Sequence, residues 1–128
     1  MGKTFLITGG SGFIGINLVR FLLEETGHRV INIDKMTYAS SHWGLREYEG
    51  SSRYKHVNVD ICDKKRVKEI FFSHKPQAVM HLAAESHVDR SIRDPALFIK
   101  SNIIGTYTLL ECSREYWESL PSGMMDTF

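Results

Sequence analysis

Cysteine is nearly absent: the 128 residues hold two, Cys62 and Cys112. They stand far apart, in no C-x-x-C and no metal-ligand spacing, which leaves no disulfide framework and points to a reduced, cytoplasmic chain. Long hydrophobic runs are lacking as well. No stretch approaches the ~18 apolar residues of a membrane span, and the apolar run inside MGKTFLITGG is too brief for a signal peptide. An excess of one charge is missing too, since 16 basic and 15 acidic residues leave a net +1. The one basic run, Lys64-Lys65-Arg66, falls where the solvated face of a helix would be, so nucleic acid is not the favoured partner. Neither an internal repeat nor a low-complexity tract interrupts the chain.

What is present is one domain's worth of sequence, 42% hydrophobic and sufficient for one core. Thr4 to Thr8 (TFLIT) reads as a strand, and Ile14, Leu18, Phe21 and Leu22 recur at helical spacing, which predicts a helix from Phe13 to about Thr26. Val30 to Asp34 and Tyr54 to Ile61 read as further strands, with one helical turn near Trp43 to Tyr48 between them. Asp63 is an N-cap for a helix through Val67, Ile70 and Phe71, and Pro76 precedes a fourth strand, Ala78 to Leu82. Asp94-Pro95 opens a long helix to about Trp117. Strands separated by helical crossovers run parallel, so the expected fold is a doubly wound, Rossmann-like α/β sheet of about four strands in the order 3-2-1-4. The long helix is apolar on two sides and needs two partners, the sheet and a second surface.

The turn T-G-G-S-G-F-I-G, Thr8 to Gly15, lies between the first strand and the first helix. Gly9, Gly12 and Gly15 are spaced G-x-x-G-x-x-G, and Gly10, Gly12 and Gly15 satisfy G-x-G-x-x-G. Such a turn needs glycine to be tight, to let backbone approach a pyrophosphate, and to let helix cross strand closely. Asp34 ends the next strand about 20 residues on, where a carboxylate accepts the hydroxyls of an adenosine ribose and repels a 2′-phosphate, favouring NAD over NADP. Asp60-Ile61 reaches the same sheet edge, placed either to meet an adenine or simply to begin a turn beside Asp63.

The fourth strand empties into a polar loop, H-L-A-A-E-S-H-V-D-R-S-I from His81 to Ile92. Open parallel sheets bind ligands at the carboxyl ends of their strands, so this loop is a candidate binding wall. His81 and His87 lack a third ligand at a recognised spacing and read as satisfied loop histidines, with no metal. Glu85 and Asp89 read as loop-ordering groups, bonded to backbone or to Arg90, and Trp43 and Tyr48 as pins for the segment between the second and third strands.

Together with D-K-M-T-Y-A, D-I-C-D and S-N-I-I-G-T-Y-T-L-L-E, these motifs make the chain resemble the dTDP-glucose 4,6-dehydratase family of the extended short-chain dehydrogenases/reductases. Beside Gly9, Gly12 and Gly15 of the turn, the resemblance implies Phe13 and Ile14 at a pyrophosphate and Asp34, Lys35, Met36 and Thr37 around a ribose. It places Asp60 and Ile61 at adenine, and Leu82, Ala83, Ala84, Glu85 and Ser86 on the nicotinamide side. Ser86 would also touch the sugar nucleotide, and Ser101 stands where the family usually has threonine. The implied reaction removes hydride from C4 of dTDP-glucose to NAD, expels water across C5 and C6, and returns the hydride to C6. A homodimer through the helix 95–117 region is implied as well.

The family's base is a tyrosine with a lysine four residues on, beside an Asp-Glu pair. None of Tyr38, Tyr48, Tyr54, Tyr107 or Tyr116 is followed by such a lysine, and no Thr-Asp-Glu appears. Residues 1–128 are therefore expected to be an incomplete NAD-binding domain, inactive alone, without the catalytic and sugar-binding half. The alternatives are a non-catalytic NAD-binding or interaction module, or a sister nucleotide-sugar epimerase or dehydratase.

Overall fold

A computed structural model describes residues 2–36 and 43–127. Four strands form one parallel sheet: β1 (Thr4–Thr8), β2 (Arg29–Ile33), β3 (Tyr54–Val57) and β4 (Ala78–His81), in the spatial order β3-β2-β1-β4. Leu6 pairs with Ile31 on one side and Val79 on the other, which sets β1 at the centre. Helices α1 (Phe13–Glu24) and α2 (Lys64–His74) are the crossovers, and α3 (Val88–Arg93), α4 (Pro95–Phe98) and α5 (Gly105–Ser119) follow β4.

Alternate residues of a strand face opposite ways, and the core divides accordingly. Leu6, Ile31 and Ile33 pack with Val67, Ile70 and Phe71 of α2 and Leu109, Cys112 and Tyr116 of α5. Ile7 and Val30 pack with Val19, Leu22 and Leu23 of α1. Leu6, Ile7, Ile31 and Val19 are fully buried, each worth about 1.5–3 kcal/mol of transfer free energy.

The sequence-based boundaries shift for physical reasons. β3 stops at Val57 rather than Ile61 because β2 ends opposite it, Ile33 pairing with Val57. β4 stops at His81 because Thr8, its partner, ends β1. The first helix ends at Glu24, two residues early, and the Thr26 hydroxyl then bonds the Leu22 carbonyl. A 3-10 turn, Arg46–Tyr48, occupies the segment expected to turn once, and Asp63 caps α2 by accepting the Arg66 N–H at 3.2 Å.

Two expectations are corrected. The polar loop after β4 contains a short helix, α3, with Asp89 in its first turn and Arg90 and Arg93 in its last, charges that complement the helix dipole. The long helix begins as expected, with Asp94 accepting the Leu97 N–H at 3.3 Å and Pro95 in its first turn. It is not α-helical throughout, however: Ile99–Ile104 forms a π-helical segment between α4 and α5. Ser101 is buried there, and Asn102 turns its side chain onto the loop after β4.

Candidate functional site

The carboxyl ends of the strands open into a cleft lined by residues from the glycine turn, the ends of β2 and β3, the loop after β4 and the π segment. Gly9 begins the turn at φ 69°, where any side chain is strained, and a Cβ there would lie 2.7 Å from the Ala83 nitrogen. A Cβ on Gly15 would stand 2.2 Å from the Gly9 carbonyl oxygen, so α1 crosses the turn at near contact. Gly12 differs. A Cβ there would meet only the Gly9 oxygen, at 3.4 Å, because its Cα side faces the open cleft.

Gly12 is also the N-cap of α1 and supplies no side-chain acceptor. The first-turn N–H groups of Phe13 and Ile14 are therefore exposed helix-end donors, the arrangement that receives anions. The side chains of these two residues point outward, 86% and 69% exposed. Neither residue, nor Gly15, lines the cleft.

Asp34 follows β2 and is 8% exposed. Its Oδ2 accepts the Ser11 N–H at 3.1 Å and its Oδ1 the Met36 N–H at 2.8 Å, tying the turn to the strand end while the residue lines the cleft. Met36, at φ 57°, contributes that backbone bond rather than a cleft surface. Thr37 lies outside the described residues.

Asp60 forms the turn and also faces the cleft. Its Oδ1 accepts the Cys62 N–H at 2.9 Å, a turn-forming bond, and the residue also lines the cleft beside Ile61, with Oδ2 3.5 Å from Lys35 Nζ. Burial pushes the Asp60 carboxyl up, but the Cys62 N–H and the Lys35 ammonium outweigh it and hold the carboxyl below its usual range.

Leu82, Ala83, Ala84, Glu85 and Ser101 line the opposite wall, whereas Ser86 is exposed outside it. Glu85 is held through its backbone, its N–H donating to Asn102 Oδ1 and its carbonyl accepting from Asn102 Nδ2, both at 2.8 Å. Ile33 and Val59 also line the cleft. Sequence reasoning did not single them out, nor Asn102 and Asn32, although an asparagine inside the apolar strand VINID was a visible signal. Among the described residues, no group of three His, Cys, Asp or Glu is placed to hold a metal ion.

A parallel sheet ordered 3-2-1-4 with a glycine turn, a helix N-terminus and an acidic residue converging on one cleft defines a Rossmann-like protein of the short-chain dehydrogenase/reductase type. The chain belongs to the GDP-mannose 4,6 dehydratase family, whose model matches residues 6–124. It is 54% identical to the dTDP-glucose 4,6-dehydratase of Haemophilus influenzae over 96% of its length, and 51% identical to dTDP-glucose 4,6-dehydratase 1 of Escherichia coli. The chain spans about a third of these relatives, 36% and 34% respectively. Among solved structures it is similar to a dTDP-glucose 4,6-dehydratase from Streptomyces venezuelae with NAD bound (TM-score 0.82, 37% identity, 88% of this chain and 36% of that one). It is similar also to UDP-glucose 4-epimerase from Thermotoga maritima (TM-score 0.79, 37% identity, 88% of this chain and 34% of that one). The resemblance to dTDP-glucose 4,6-dehydratases and the strand order read from the sequence are both borne out.

Proposed function

We propose that this chain is the NAD-binding portion of a dTDP-glucose 4,6-dehydratase. The observation that carries the reading is the convergence of the Gly12 backbone, the uncapped first turn of α1 and the Asp34 carboxylate on one cleft. The cradle at Gly12 is one that a Cβ would fill, which fits a pyrophosphate lying against bare backbone. Phe13 and Ile14 offer N–H groups to its charge, while Gly9 and Gly15 shape the turn. Asp34, with Lys35 and Met36 after it, receives the adenosine ribose. Asp60 and Ile61 flank the adenine.

Leu82 to Ser86 and Ser101 border the nicotinamide half, with Ser86 facing the sugar nucleotide. A bound NAD would supply reversible hydride acceptance to dTDP-glucose on its way to the 4-keto-6-deoxy sugar. The residues of this chain orient the dinucleotide and exclude water from it. They contain no Tyr-x-x-x-Lys pair, so the chain alone forms no keto product.

The free thiols of Cys62 and Cys112 support a reduced, cytoplasmic setting. Ile103, Tyr107 and Leu110 are exposed along the outer side of the π segment and α5, and we assign this face to a homodimer contact. Sedimentation of Leu110→Glu beside the unaltered chain tests it, with a monomeric unaltered chain at high concentration counting against it. Relatives 46% to 54% identical over 96% to 98% of this chain are dTDP-glucose 4,6-dehydratases, which favours that activity over an epimerase's.

Calorimetric titration of the folded chain with NAD and with NADP tests the reading. Saturable binding with preference for NAD is expected. A chain that is folded by circular dichroism yet binds neither dinucleotide would overturn it.

A further inference from the structure

Thr8, His81 and Thr106 form a line across the carboxyl edge of the sheet, from the end of β1 to the first turn of α5. The Thr8 hydroxyl oxygen lies 3.1 Å from both the Leu82 and the Ala83 nitrogens, and 2.6 Å from His81 Nδ1. The two backbone groups can only donate, the Leu82 N–H being shared with the Thr8 carbonyl. The hydroxyl hydrogen is thus left for Nδ1, which must be a bare acceptor. At the other end, the Thr106 hydroxyl donates to the Asn102 carbonyl at 2.8 Å, so its oxygen accepts from His81 Nε2 at 2.9 Å. Hydrogen counting from either end assigns the same neutral ring, with its proton on Nε2.

The line continues into the cleft wall. Asn102, the residue whose carbonyl ends it, clasps the Glu85 backbone through both atoms of its amide. Residues 82–85 are thereby held at their start by Thr8 and at their end by Asn102, with His81 the link between the two anchors. His81 is itself exposed at the free edge of β4, yet both ring nitrogens are engaged.

We propose that His81, as the neutral Nε2–H tautomer, is a positioning residue that sets the cofactor-facing wall 82–85 by joining Thr8 to Thr106. The inference rests on the NAD reading for what the wall contacts, while the relay is measurable without any ligand. An imidazolium would present a third donor to the Thr8 oxygen and leave the Thr8 hydroxyl without its acceptor. Only the neutral ring completes the chain of bonds.

The test uses the 128-residue chain labelled with ¹⁵N at histidine, together with Thr106→Val and Thr106→Ser. Long-range ¹H–¹⁵N spectra at neutral pH are expected to show the Nε2–H tautomer for His81. Amide exchange at Ala83 and Glu85 is expected to accelerate on the order of tenfold in Thr106→Val, about the loss of one hydrogen bond, and to return to the original rate in Thr106→Ser. NAD affinity should follow the same pattern. A proton on Nδ1, or exchange in Thr106→Val equal to the unaltered chain with the fold intact, overturns the inference. If the unaltered chain binds no NAD, the cofactor reading fails, and tautomer and exchange still decide the relay.

Discussion

The side-chain oxygen of Asn32, fully buried in the middle of β2, accepts the Gly10 N–H at 2.9 Å. Its Nδ2 donates to the Ser11 hydroxyl at 3.1 Å and to the Tyr54 hydroxyl at 3.2 Å. One amide thus binds the glycine turn to β2 and β3 from beneath. Asn32→Leu strands a buried N–H and a buried phenol, at about 1–3 kcal/mol each for unsatisfied groups. Urea unfolding is expected to show that loss together with weakened NAD binding. Unchanged stability would mean that the turn holds itself.

Gly9 and Gly12 should separate stability from binding. Gly9→Ala places a methyl against the Ala83 backbone at φ 69° and is expected to lower the unfolding midpoint sharply. Gly12→Ala meets only an ordinary 3.4 Å contact at φ −80°. Its stability should hold or rise by about 0.4–1 kcal/mol, while NAD affinity falls at least about tenfold because backbone can no longer approach the phosphates. Full NAD binding by Gly12→Ala would move the pyrophosphate elsewhere.

Asp34→Ala removes the acceptor of the Ser11 and Met36 N–H groups and the negative charge at the strand end. NAD binding should weaken by about tenfold or more, the loss of hydrogen bonds to a charged group. Discrimination against NADP should narrow with it. An NADP affinity ratio unaltered by the substitution, measured calorimetrically, would detach Asp34 from the ribose.

Acid should destabilise the chain in two stages. Partial burial holds the His81 imidazole below the usual 6.5, and burial, then Lys55 and Arg29, do the same for His74. The unfolded chain therefore takes up more protons, and stability that is complete above about 6.5 is lost as pH falls through the lower folded values. Glu115, bonded by Lys64 at 2.8 Å and Lys68 at 2.7 Å, is held at about 2 against the usual 4.5. Its contribution is present above 4.5 and disappears toward pH 2. Because Lys64 and Lys68 are exposed, the Glu115 stage should shrink in salt. Urea midpoints from pH 8 to 3 check this, and a profile flat between pH 7 and 5 would contradict the histidine assignment.

The sheet was legible because its signals are local. Strand and helix periods, the glycine spacing and Asp34 all lie within one β-α-β unit, and the parallel order follows from the crossovers. Asp63 and Asp94 announced their helices by side chains that cap the residue three positions on. What escaped is carried by pairs remote in sequence. Thr8 meets His81 across 73 positions and Glu85 meets Asn102 across 17, and neither pair leaves a pattern in its own neighbourhood. Helix α3 escaped for another reason: V-D-R-S-I-R is six residues long with a single apolar i,i+4 pair, Val88 and Ile92, too short a run to establish a helical period.

The π segment Ile99–Ile104 stands between α4 and α5. Each residue in an α-helix advances the direction of the side chain by about 100°. A π turn takes up one residue more than an α turn, so deleting one residue there would close it to a regular turn and leave Leu109, Cys112 and Tyr116 facing α2, whereas a deletion inside α5 ahead of Leu109 would turn them by roughly that angle. The extra residue thus serves the cleft rather than the core: Ser101 lines the cleft and Asn102 holds the Glu85 backbone, so a change of length there would release that wall while the packing of α5 on α2 stayed in register.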